Sequence, residues 1–174
     1  PSVLALMAAL AAVIAALAEV VAASALMVMR RVYAFRREPW LYNAGMKPDL
    51  TNSLRPYLGR LPVLGARVYV DPAATIIGDV ELGDDVSLWP GTILRGDVNF
   101  IRIGARTNVQ DGTIIHVSHD GPYTRPGGYP TIIGADVTIG HGAIVHACVI
   151  EDGCLIGMGA TVLDGATIRK NGFV

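Results

Sequence analysis

Residues 70–94, VDPAATIIGDVELGDDVSLWPGTIL, carry an aliphatic side chain at every sixth position: Val70, Ile76, Leu82, Leu88 and Leu94. After a slip of register the spacing resumes at Ile103, Val109 and Ile115. It continues at Ile133, Ile139 and Val145, and in a neighbouring phase at Ile144, Ile150, Ile156, Val162 and Ile168. Glycine follows an aliphatic at Gly78, Gly83, Gly104, Gly134, Gly140 and Gly157. This is the hexapeptide pattern of a parallel β-helix. Each hexad forms one short strand and a corner, and three hexads close one triangular coil with an aliphatic from each pointing to the axis. One coil cannot bury its own apolar edge, so coils must stack, about 4.8 Å apart. An ordinary sandwich would alternate with period two and fits worse. The expected fold is therefore an all-β parallel β-helix with an appended N-terminal α-helix.

One segment breaks the rhythm. Residues 119–130, HDGPYTRPGGYP, hold three glycines, three prolines and no aliphatic, and read as a loop inserted at a corner. This loop places the histidines. His116 follows Ile115 and His146 follows Val145, 30 residues apart; without the 12-residue loop the separation is 18, one full coil. The two imidazoles should then stack on one face about 4.8 Å apart, a separation that suits a shared zinc with Zn–N bonds of about 2.0–2.1 Å. His141 lies in the preceding hexad, on another face, too far away to join them within one chain. It can complete a site with the stacked pair of a neighbouring copy, and a threefold ring repeats that contact and closes. The expectation is a homotrimer with three intersubunit sites, each of three histidines and one open position, the pattern of a catalytic zinc centre. Imidazole also suits Fe2+ and Co2+. His119 reads as a loop histidine with a proton-relay role as its functional alternative.

Composition excludes several classes. The 174 residues suggest one domain, and a net charge of -1 from 14 basic and 15 acidic residues gives no case for nucleic-acid binding. Cys148 and Cys154, the only cysteines, sit six residues apart on adjacent faces, so no disulfide is expected and a reducing, cytoplasmic setting follows. Residues 2–29 contain no Lys or Arg and a single acid, Glu19, and favour a helix long enough to span a bilayer. Arg30, Arg31, Arg36 and Arg37 follow. Residues 1–45 are thus read either as a membrane-anchoring or protein-packing helix with a basic linker, or as sequence upstream of the native domain. The second reading rests on Met46, which opens a stretch like an ordinary start. Residues 46–174 are the β-helix domain.

Arg95-Gly96-Asp97-Val98-Asn99, Thr107-Asn108-Val109-Gln110-Asp111-Gly112, His116, Ile139-Gly140-His141, His146 and Ile156-Gly157-Met158-Gly159 together resemble the γ-class carbonic anhydrase family, in particular its short bacterial carbonic-anhydrase-like members. The resemblance runs from about Ser53 to the C-terminus. It implies a left-handed helix, a trimer, and metal held by His116, His141 and His146 across the interface. It makes Arg95, Asp97 and Asp111 a charged interface cluster, and sets Gln110 and Asn108 near the reacting water. The implied reaction is reversible hydration of CO2 to bicarbonate. Two departures matter. Val98 stands where active members carry a glutamate, and the short 119–130 loop replaces an acidic one. The chain also stops at Val174 inside a coil, so the domain is read as C-terminally incomplete. The alternatives are a metal-binding structural or assembly subunit with little turnover and, with less support, a hexapeptide acyltransferase.

Overall fold

The computed structural model of the chain describes residues 2–32 and 50–174. The chain divides into two compact units, Pro1–Lys47 and Pro48–Val174. The first holds an α-helix, Val3–Val32, as its alanine- and leucine-rich sequence predicts. Ser2 caps it, its side-chain oxygen accepting from the Ala5 amide at 3.4 Å. Among the described residues no helix is long and apolar enough to cross a membrane, so the membrane-spanning reading of residues 2–29 finds no support. Arg36, Arg37 and Met46, on which the linker and boundary readings rest, lie outside the described residues.

The second unit is a parallel β-solenoid of about five turns. Its hexads become strands because each inward aliphatic finds its counterpart one coil away. Three inward columns result. Ile76, Leu94, Ile115, Val145 and Val162 pair in register down one face. Leu64, Leu82, Ile103, Ile133, Ile150 and Ile168 follow down the second. Val70, Leu88, Val109, Ile139 and Ile156 form the third. Nearly all are fully buried, and together they make one continuous core.

The neighbouring phase expected through Ile144 is not realised there. Val145 is buried, while Ile144 faces outward and is 41% exposed. The chain shortens one hexad to five residues between Val145 and Ile150, with Ala147 adopting a left-handed backbone (φ 50°) to make the corner. The earlier slip is also located. Gly78 pairs with Gly96 but Val80 pairs with Ile101, so three extra residues lie between Gly96 and Ile101. The 119–130 loop is the second insertion, its base closed by an antiparallel bridge between Ser118 and Tyr129.

Two corner columns show why glycine and charge recur. At Gly83, Gly104 and Gly134 a Cβ would fall within 2.7 Å of atoms of the next coil. Two residues further along the same corner, Arg67, Asp85, Arg106 and Asp136 all have left-handed backbones. They alternate in charge from coil to coil, Arg67 pairing with Asp85 at 2.6 Å and Arg106 with Asp136 at 2.7 Å.

Candidate metal centre

The strands Ile114–His116 and Ile144–His146 lie side by side, with His116 opposite His146 in the register. Their ring centroids are 5.0 Å apart, and His116 Nδ1 lies 2.9 Å from His146 Nε2. The stacking expected from the coil count is present. The Thr131 hydroxyl strengthens this alignment, donating to the His116 carbonyl and accepting from the Ala147 amide.

Each ring also meets a carboxylate on its other nitrogen. His116 Nε2 lies 2.9 Å from Asp97 Oδ1, and His146 Nδ1 lies 2.5 Å from Asp164 Oδ1. Asp97 is further bound by Arg95 and by the Val98 amide, and Asp164 by the Ser118 hydroxyl. Burial works against ionisation of both carboxyl groups, yet these hydrogen bonds outweigh it and hold both below the usual carboxylate range. Burial pushes the His116 imidazole below its ordinary pKa; the Asp97 hydrogen bond opposes this and is outweighed.

His141 stands apart, just beyond the strand Thr138–Ile139 of the five-stranded sheet, while the other two end strands of the ten-stranded sheet. Its side chain is 53% exposed, and its Nδ1 lies 2.9 Å from Asp111 Oδ2. Within the chain Arg95 pairs with Asp97, while Asp111 pairs with His141. Gln110 precedes Asp111 on the same face. Asn108 donates from Nδ2 to Ser87 Oγ at 2.7 Å, part of a polar ladder between coils. His119 is exposed at the start of the loop, where its carbonyl accepts from the Thr124 hydroxyl, and it is not part of the stacked pair. Among the described residues no three His, Cys, Asp or Glu side chains converge to hold a metal within one chain.

The donor set of the pair fits a divalent cation. Two imidazole nitrogens face each other, and each ring is oriented from behind by a carboxylate, the usual surroundings of metal-binding histidines. Sequence reasoning missed Asp164 and Ser118. The coil after His146 spans 17 residues, Val145 pairing with Val162, so Asp164 lies one residue past the position opposite His146.

Comparison with known proteins agrees with this architecture. The family "Bacterial transferase hexapeptide (six repeats)" matches residues 130–164. Protein YrdA of Escherichia coli is 48% identical over 115 residues, 66% of this chain and 62% of that protein. Gamma carbonic anhydrase 1, mitochondrial, of Arabidopsis thaliana is 45% identical over 115 residues, 66% of this chain and 41% of that protein. The chain thus spans less than two thirds of the length of these curated relatives. A solved structure of a hexapeptide transferase family protein from Anaplasma phagocytophilum superimposes with a TM-score of 0.51 at 34% identity, covering 71% of this chain and 75% of that one. The chain belongs to the hexapeptide-repeat β-solenoid family, and its relatives in sequence include the γ-class carbonic anhydrases.

Proposed function

We propose that the chain is a γ-class carbonic-anhydrase-like protein that hydrates CO2 reversibly to bicarbonate at metal sites shared between the subunits of a homotrimer. The observation that carries this reading is the in-register His116–His146 pair, with His141 on a separate face carrying its own carboxylate. A second feature supports it. Ile93, Ile114 and Ile144 form an outward row in register, each about 40% exposed, and Ile114 and Ile144 lie two residues before the paired histidines. An apolar row beside partly buried ligands suits a surface covered by another copy of the chain.

In this reading His116 and His146 of one subunit and His141 of the next hold Zn2+, with Fe2+ or Co2+ as alternatives. The metal supplies Lewis acidity that activates water at neutral pH. The chain's own groups do the rest. Asp97 and Asp111 orient the rings of His116 and His141. Gln110, with Asn108 behind it, offers a carboxamide donor toward a bicarbonate oxygen. Arg95 holds Asp97 in place. His119 would carry the proton outward along the loop.

Val98 favours a second reading, a metal-binding assembly subunit with little turnover. Its exposed apolar side chain stands where a carboxylate would take up the proton. The acyltransferase reading rests on family descriptions alone. Stopped-flow CO2 hydration by the zinc-loaded protein, with His116→Ala as control, tests the proposal. A rate at least tenfold above the control is expected; equal rates refute anhydrase activity. Stoichiometric metal with no rate selects the assembly role.

A further inference from the structure

The second aspartate behind the histidine pair has no assigned role. Asp164 comes from the corner after the strand Thr161–Val162, one coil beyond His146. It reaches back so that Oδ1 meets His146 Nδ1 at 2.5 Å while Oδ2 accepts from the Ser118 hydroxyl. The Ser118 side is fixed in turn. Its amide and carbonyl bridge to Tyr129 across the loop base, and its carbonyl also accepts from Asn99 Nδ2 at 3.1 Å. Asn99 bonds the Gly127 carbonyl as well, at 2.9 Å. The three-residue insertion and the twelve-residue loop thus converge on one serine, and through it on Asp164.

An ionised carboxylate only accepts hydrogen bonds. A histidine facing one must present N–H there, which leaves the lone pair on its other ring nitrogen. Asp97 imposes this on His116 from the Nε2 side, leaving Nδ1 as the lone-pair nitrogen. If Asp164 does the same to His146 from the Nδ1 side, the two lone-pair nitrogens are the two that face each other at 2.9 Å. A pair of that kind repels unless a cation or a proton lies between them.

We infer that Asp164, clamped by Ser118, is a positioning residue that locks His146 in the Nδ1–H form and so turns its Nε2 lone pair toward His116, readying the pair for a divalent cation. This rests on the metal reading above but makes a claim about the metal-free protein too. Two readouts test it on the full-length oligomer. The first is the imidazole nitrogen spectrum of metal-free protein labelled with 15N-histidine, which reports tautomers directly; with 4 histidines in the chain, His146 is assigned by comparison with His146→Gln. Wild type is expected to show His146 as Nδ1–H. Asp164→Ala and Asp164→Asn should move it to Nε2–H, with Ser118→Ala giving a mixture. The second is Co2+ affinity by visible absorption, expected to fall 10–100-fold in the Asp164 variants. Asp164 is 38% exposed on its side chain, so these variants are expected to keep the far-ultraviolet circular dichroism of the parent. His146 remaining Nδ1–H in Asp164→Ala, or unchanged Co2+ affinity in both variants, overturns the inference. Wild-type protein that takes up no Co2+ refutes the metal reading instead, and the tautomer comparison then still decides what Asp164 does.

Discussion

Replacing Gly104 by alanine tests the coil-stacking argument where one coil's backbone closely meets the next. The added methyl would sit 2.5 Å from the Ala135 amide nitrogen and from the Gly134 carbonyl carbon, about 0.9 Å short of ordinary contact. Both neighbours are backbone, so no side chain can swing away. The coils must part there, stretching the bonds from the Gly104 amide to the Ile133 carbonyl (2.8 Å) and from the Asp136 amide to the Ala105 carbonyl (2.9 Å). Overpacking of this kind costs about 1–3 kcal/mol, and rigid surroundings put this site at the upper end. For a domain of this size about 3 kcal/mol lowers Tm by roughly 10 °C. Gly159→Ala is the matched control. Its φ is +69° with nothing within 4 Å, so the cost is the left-handed backbone alone, about 1 kcal/mol. Thermal unfolding of both variants at equal protein concentration makes the comparison. The same gap between coils sets the spacing of His116 and His146, so Gly104→Ala should also weaken metal binding where Gly159→Ala does not. A Gly104→Ala protein as stable as Gly159→Ala would refute the claim that backbone approach, rather than corner conformation, demands glycine there.

Other outcomes follow from the same geometry. Ile115→Ala removes a fully buried side chain from the centre of an inward column and should cost about 2–5 kcal/mol in denaturant titration, far more than Ile144→Ala on the outside. His141→Ala should abolish stoichiometric zinc, measured by elemental analysis, while shifting Tm of the metal-free protein little, because the side chain is half exposed. Burial pushes the Cys148 thiol up to about 12, so a thiol reagent at pH 8 should label it only in denaturant. Asp85 is held below its ordinary pKa by the Arg67 hydrogen bond, with burial opposing. A depressed carboxylate stabilises the fold above its unfolded pKa, and that help fades as pH falls through the folded value. Wild type and Asp85→Asn should therefore differ in Tm at pH 7 and converge in strong acid.

The inward columns were legible because burial demands the same chemistry at each sixth residue. Fifteen inward aliphatics at hexapeptide spacing leave few alternatives, and the glycine-rich 119–130 stretch announces an insertion by composition. The stacking of His116 on His146 followed from subtracting that loop. The phase at Ile144 is not legible, because a five-residue step leaves no mark: Ile144 and Val145 are both aliphatic, and only the left-handed turn at Ala147 selects between them. Asp97 drew notice only through the family resemblance, since the three-residue insertion beside it hides its distance to His116. Asp164 escaped because a lone aspartate at a corner looks like any solvated turn residue until the coil beneath it is known.

The alternating charges at Arg67, Asp85, Arg106 and Asp136 constrain how such a molecule can change length. Excising a single turn from the middle would set arginine on arginine or aspartate on aspartate, whereas excising two restores the sequence of opposite signs. Growth or shrinkage by duplicated repeats is thus favoured in even steps along this edge, a rule of inheritance written in electrostatics rather than in the hydrophobic interior.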